Sequence, residues 1–290
     1  MFDNIFAAIE KWMRELLTGM VESNMSTMFT DVNEKTSEIA AQVGRTPQNW
    51  NSSVFSMIQN LSESVVVPIA GIIITLVLCY ELISMLTERN NLHDVDTWMF
   101  FKYFVKAWVA IYLVSNTFTI TMAVFDVGQS VVNSASGIIN GETAIDVSSL
   151  SMQMQAAMAT MEISELVVLA LETFLVSFCM KIMSVVITVI VYGRMIEIYL
   201  YTSLAPIPFA TMSNREWGHV GTNYFRGLFA LAFQAFLMMV CVAIYAALIS
   251  SVRISSNMHS ALIGVAAYTV ILCFSLMKTG SLSKQIFGSH

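Results

Sequence analysis

Five stretches of the 290-residue chain stay apolar long enough to cross a bilayer: Val65–Leu86, Val105–Phe125, Leu166–Tyr192, Leu228–Ile249 and Ala261–Met277. About 20 helical residues cover the ~30 Å of hydrocarbon. Pro68 sits in the first turn of the first stretch, where a missing N–H costs little. A sixth stretch, Met195–Met212, is apolar but holds Glu197 and is broken by Pro206 and Pro208. The residue before each proline is driven out of the α region. This stretch is therefore expected to run along or partly into the membrane as a Pro-broken, non-spanning segment.

The first twenty residues follow a different pattern. Phe2, Ile5, Phe6, Ile9, Trp12, Met13, Leu16, Leu17 and Met20 recur at steps of three and four, with Asp3, Glu10, Lys11, Arg14 and Glu15 opposite. That is an amphipathic helix. It suits the lipid interface, a partner, or a small extramembrane domain. It has no uninterrupted apolar core behind a basic region, so it does not read as a cleavable signal peptide. Between the second and third spans, Ser130–Ser164 is rich in Ser, Met and Ala, with turn signals at Gly137 and Asn140-Gly141. Met152, Gln155, Met158 and Glu162 line one face of a possible helix there. The segment reads either as a mobile loop or as a vestibule or contact surface.

Composition agrees with a membrane protein. Charged residues are 12% and apolar ones 56%, and the mean hydropathy is +0.69. A soluble domain would carry about 25% charged residues. The net charge of −6 argues against a basic nucleic-acid-binding face. Lys and Arg placement sets the orientation. The Thr87–Phe104 loop carries Arg89 and Lys102, with Lys106 beyond it, whereas Asp126–Glu165 has no Lys or Arg. The first loop is therefore cytoplasmic and the second outside. Arg194, Arg215, Arg226, Lys278 and Lys284 then fall inside, which places the N-terminus outside and the C-terminus in the cytoplasm. Arg253 and the N-terminal Lys11, Arg14, Lys35 and Arg45 run against this bias. Long segments, however, translocate with less regard for charge.

The fold class is thus all-α: a polytopic membrane protein of about five spans, with an N-terminal amphipathic helix and a Pro-broken segment. The expected organisation is an extramembrane helical region over 1–64, a first transmembrane hairpin over 65–125 and an extracytoplasmic loop or helix over 126–165. A transmembrane core over 166–278 and a cytoplasmic tail over 279–290 follow.

Candidate chemistry is sparse. There is no GxSxG, HExxH or P-loop, and the chain does not read as an enzyme. Cys79, Cys179, Cys241 and Cys273 lie in apolar runs without CxxC spacing and read as small packing residues. His93, His219, His259 and His290 are too scattered to suggest a metal site, and His93 with Asp94 and Asp96 reads as a solvated loop. No cofactor is expected. The 21 methionines suit adaptable interfaces as well as an ordinary membrane core. Charged groups inside spans are costly and seek partners. Glu172 and Lys181 stand nine residues apart, on opposite faces of one helix, so each needs a partner elsewhere or snorkels outward. Glu81 lies near a span end.

The run from Tyr192 to Leu248 carries a further signal. It reads YGRMIEIYLYTSLAPIPFATM, then a polar turn with Trp217 and Gly221, then NYFRGLFALAFQAFLMMVCVAIYAAL. It resembles the TrbL-type conjugation proteins of Gram-positive bacteria, relatives of the polytopic channel subunit of type IV secretion systems. The matching features are the helix with Arg194 and Glu197, the Leu204–Pro208 motif containing Pro206 and Pro208, and Gln234 in an apolar span. The resemblance is clearest over Ser164–Lys278. It implies a channel component of the cytoplasmic membrane that helps single-stranded DNA pass with its relaxase. It also implies a homo-oligomer working with a VirB-type ATPase, a coupling protein and other secretion subunits. Glu172, Lys181, Arg194, Glu197, Pro206, Pro208 and Gln234 are the structural or channel candidates. Two other readings remain open: a secondary transporter of a small solute, and a scaffold that anchors a secretion machine without lining its path.

Overall fold

The structure, a computed structural model, describes residues 2–87, 97–139, 147–251 and 258–289. Among these it is helical, without strands. The elements are α1 (Phe2–Val43), α2 (Pro47–Trp50), α3 (Ser52–Leu61), a π turn (Ser62–Val66), α4 (Val67–Thr87), α5 (Thr97–Ser115) and α6 (Thr117–Ile139). They continue with α7 (Val147–Met158), α8 (Ile163–Ser203), α9 (Pro206–Thr211), α10 (Gly218–Ser250) and α11 (Met258–Phe287). Five helices are long and apolar enough to cross a membrane: Ser52–Thr87, α5, α8, α10 and α11. Arg89, His93, Asp94 and Asp96, the Asn140-Gly141 turn, Arg253 and His290 lie outside the described residues.

Several elements depart from the expectations, each for a local reason. Pro68 does not begin a helix. Ser52–Thr87 runs through it as one spanning segment, and the π turn lies just before it. There the Val67 N–H reaches back to the Ser62 carbonyl. This widened turn accommodates a proline ring that would otherwise clash with the carbonyl four residues earlier. The expected Val105–Phe125 span is interrupted at Asn116. The Asn116 side chain donates to the Tyr112 carbonyl at 2.9 Å, and the Thr117 hydroxyl bonds the Leu113 and Val114 carbonyls. Side chains that bond the preceding turn in this way bend or end helices. Met195–Ser203 continues α8, which is 41 residues long, so the proline break affects only the end of the Met195–Met212 stretch.

The chain forms two compact units. The first comprises Met1–Val43, Ser134–Val191 and Met238–Lys278. In it α1 is one helix of 42 residues, more than twice the predicted amphipathic segment. Its Arg14 guanidinium donates to the Met161 carbonyl at 2.8 Å, while Ile5, Phe6, Ile9, Trp12, Leu16 and Met20 remain exposed. Helix α7 packs on α1. It buries Met154 and Met158 and leaves Met152 and Gln155 exposed. The contact face therefore includes Met154 in place of Met152.

The second unit comprises Gly44–Asn133, Tyr192–Leu237 and Thr279–His290. One apolar cluster joins Ala70, Ile74 and Leu78 of α4, Ala107, Ala110 and Val114 of α5, and Ala205, Phe209 and Ala210 around α9. Small residues dominate these contact positions. They let helices approach closely where lipid removes the usual hydrophobic drive for association. Helix α9 thus packs against the first transmembrane hairpin. A second cluster joins Val124 and Phe125 of α6 to Met195 and Ile198 of α8 and to Leu228 and Leu231 of α10. Cys79 and Cys179 are exposed and Cys241 is partly so; only Cys273 is buried. The packing role expected for all four therefore holds for Cys273 alone.

Candidate functional site

The second unit holds the proline-broken segment in place, and the break starts in the backbone. Neither Pro206 nor Pro208 has an N–H to give a carbonyl one turn earlier. The chain tightens instead: the Ala205 N–H reaches the Thr202 carbonyl and the Ile207 N–H the Leu204 carbonyl, both at 3.2 Å. The Thr202 and Ser203 hydroxyls bond the Ile198 and Leu200 carbonyls at 2.7 and 2.8 Å. The last carbonyls of α8 are satisfied before the chain turns, and Pro206 opens α9. Replacing Pro206 and Pro208 together by Ala restores both donors and lets α8 continue. At matched protein level, assembly of the protein in the membrane is expected to fall at least tenfold; unchanged assembly would make the break incidental.

Two aromatic rings fasten the end of α8 to the start of α10. Tyr201 and Tyr224 stack with centroids 4.4 Å apart. Each hydroxyl donates to the other residue's carbonyl, Tyr224 to Tyr201 at 2.7 Å and Tyr201 to Tyr224 at 3.3 Å. Two glycines make the approach possible. A Cβ at Gly227 would lie 2.2 Å from the Tyr201 hydroxyl, and one at Gly221 would lie 2.5 Å from the Pro208 carbonyl oxygen.

On its other side the segment ends in a polar junction that sequence reasoning missed. The Asn214 side chain accepts from the Glu216 and Trp217 N–H groups at 2.7 and 3.1 Å, and its amide donates to Glu81 at 3.5 Å. Glu81 also accepts from Lys106 at 2.6 Å. Tyr80 stacks on Trp217 and donates to Glu216. One carboxylate thus joins α4, α5 and the turn before α10. Glu81 and Lys106 were visible as charges in apolar stretches, but nothing in their spacing pairs them. Beside this junction, a cleft of about 370 Å³ is lined by Lys106, Val109, Leu113, Phe209, Met212 and Ser213.

The structure gives the other candidates separate surroundings. Arg194 is buried, with a 3.4 Å hydrogen bond to the Leu231 carbonyl and an unpartnered Nε. Glu197 pairs with Lys284 at 3.1 Å on a half-exposed surface. Gln234 is buried, donates to Thr279 at 3.4 Å and leaves its Oε1 unpartnered. Nearby, Ser283 bonds the Ala230 carbonyl at 2.6 Å. Arg194, Glu197 and Gln234 thus belong to the packing of α8, α10 and α11 within this unit. In the first unit Glu172 of α8 pairs with His259 of α11. The sequence offered His259 only as one of four scattered histidines. Lys181 is exposed and makes no ion pair among the described residues. Among the described residues, no group of three or more His, Cys, Asp or Glu side chains stands together as a metal site would require.

A family model described as TrbL/VirB6 plasmid conjugal transfer like protein matches residues 32–206, more than half of the chain. The chain belongs to the TrbL/VirB6 plasmid conjugal transfer-like family. It is accordingly a conjugal transfer component of the type IV secretion kind, and its five apolar helices make it a multi-pass membrane protein. The match takes in Arg194 and Glu197 and ends at Pro206. It reaches much further toward the N-terminus than the Ser164–Lys278 stretch that looked most similar, and it leaves out Pro208 and Gln234. No curated protein and no solved structure matches the chain.

Proposed function

We propose that this TrbL/VirB6 family member is a channel or scaffold subunit that helps single-stranded DNA and its bound relaxase cross the cytoplasmic membrane. It works as a homo-oligomer beside the ATPase, the coupling protein and the other secretion subunits, which supply the energy. The Lys and Arg bias supports an N-terminus outside and a cytoplasmic C-terminus. The family match carries this reading.

The arrangement of the carboxylates supports a packing role over ion-coupled transport. A proton relay needs carboxylates or histidines connected in a chain near midplane. Here Glu81 is tied to Lys106 and Asn214, Glu172 to His259, and Glu197 to Lys284. The transporter reading rests chiefly on Glu172, the one of these carboxylates whose partner is a histidine. Glu172→Gln removes the charge and keeps an acceptor for His259. It is expected to leave donor transfer within about threefold of wild type. Glu172→Leu loses the acceptor as well and costs more, since an interhelical hydrogen bond in a membrane is worth roughly 0.6–2 kcal/mol. Solute uptake by vesicles containing this protein alone, abolished by Glu172→Gln, would overturn the channel reading in favour of a transporter.

A further inference from the structure

The second half of α1 is too polar to be a span, yet it packs along spans. Val21, Met25, Met28, Val32, Ile39 and Val43 form one seam, each no more than 5% exposed. The seam lies against α8, α10 and α11. Asn24 donates to the Thr173 hydroxyl at 3.5 Å, the Ser177 hydroxyl donates to the Asn24 carbonyl at 3.2 Å, and Lys35 donates to Thr188 at 3.1 Å. A cavity of about 20 Å³, lined by Lys35, Thr36, Ser184, Tyr245 and Thr269 among others, separates the helices. It has room for one water.

The outer face of α8 fixes the depth of this contact. Val167, Leu171, Phe174, Phe178, Ile182, Val185 and Val189 are 45–64% exposed on it. The same face runs on through Ile196 and Leu200, about 50 Å at 1.5 Å per residue, so a hydrocarbon core of about 20 residues laid anywhere along it includes Ser184 and Val185. Ser184 lines the cavity together with Lys35 and Thr36, so this level of α1 lies at the depth of the hydrocarbon. On the side of α1 away from the seam, Ser23, Ser26, Thr27, Thr30, Glu34 and Ser37 are exposed and follow one another at helical spacing.

Lipid is a poor neighbour for a stripe of hydroxyls with a carboxylate in it. A second copy of the same stripe packed in register is disfavoured too, because Glu34, one turn from Glu38, would face its own charge. Bulk water satisfies every group. We propose that residues 23–37 of α1 line a water-filled passage in the assembled machine. The proposal rests on the channel reading above and revises the extramembrane expectation for this part of residues 1–64. The stripe itself carries hydroxyls and the Glu34 carboxylate but no cation, and the nearest one, Lys35, is engaged with Glu38 and Thr188, so the lining offers a phosphate no charge to hold it.

The test uses the full-length protein in mating-competent donor cells. Ser26→Cys, Thr30→Cys and Ser37→Cys are made singly and treated with a cationic, membrane-impermeant methanethiosulfonate. Wild type gives the background from Cys79, Cys179, Cys241 and Cys273, and Val185→Cys marks the lipid face. The stripe positions should label at least tenfold above background, while Val185→Cys reacts only with a membrane-soluble maleimide. Stripe cysteines that react only with the soluble maleimide would place the stripe in lipid and overturn the proposal. Disulfides between copies at Ser26→Cys without cationic labelling would make it a subunit interface and overturn it equally. Cationic labelling that leaves transfer untouched upholds the water-lined stripe, and counts against the reading that DNA follows it.

Discussion

Gly221→Ala is expected to lower transfer frequency at least tenfold and to reduce the melting temperature of the detergent-solubilised protein. The added methyl group would lie 2.1 Å from Met212 Cγ and 2.5 Å from the Pro208 carbonyl oxygen. Met212 has rotamers to spare, but the Pro208 oxygen belongs to the backbone of α9. That helix is held by Ala205, Phe209 and Ala210 in the apolar cluster and by the Asn214 turn. Moving it disturbs both, and overpacking of this kind typically costs about 1–3 kcal/mol. Gly71→Ala in α4 and Gly264→Ala in α11 are the controls. Nothing lies within 4 Å of a Cβ at either position, and alanine favours a helix over glycine by about 1 kcal/mol. Those variants should match or exceed wild type in stability. Equal behaviour of all three substitutions would mean that the close approach of α10 to α9 carries no function.

Lys106→Met is expected to be the more damaging half of a rescuable pair. The Glu81 side chain is 19% exposed and sits 2.6 Å from Lys106, with Asn214 as its other partner at 3.5 Å. Without the ammonium, the carboxylate stays in an apolar setting with one long hydrogen bond from an amide. Breaking a buried pair costs about 3–5 kcal/mol. The Lys106 side chain is 40% exposed, and solvent screening brings the expectation nearer 2 kcal/mol. Adding Glu81→Gln removes the stranded charge, and the double variant should recover most of that loss. A double-mutant cycle on thermal unfolding, read beside transfer frequency, isolates the coupling. Additive losses would show that the two groups do not depend on each other.

The route to the candidate site shows where sequence reasoning stops. Pro206 and Pro208 announced the break because their chemistry acts within one turn, and the structure places the tightened turn beside them. The Glu81–Lys106 pair was hidden by a separation of 25 positions along the chain. Each residue alone reads as a charge near a span end, and only the packing of α4 against α5 makes them partners. His259 was hidden in the same way: its partner Glu172 lies 87 residues earlier. The seam of α1 was obscured by its own composition, since a window with four acids and a lysine between Val21 and Val43 scores as a tail, whatever its apolar positions touch.

By itself, the sequence determined the helical class, the number of spanning helices and the proline break. Hydropathy over twenty residues and the missing proline N–H are local quantities, and a bilayer leaves helices as the solution for long apolar runs. Tertiary structure alone decided which carboxylate meets which base, and that α1 runs on to Val43 against the spanning helices. Those outcomes depend on surfaces brought together from distant parts of the chain. There a buried methionine seam or a shared carboxylate outweighs the local preference of any one segment.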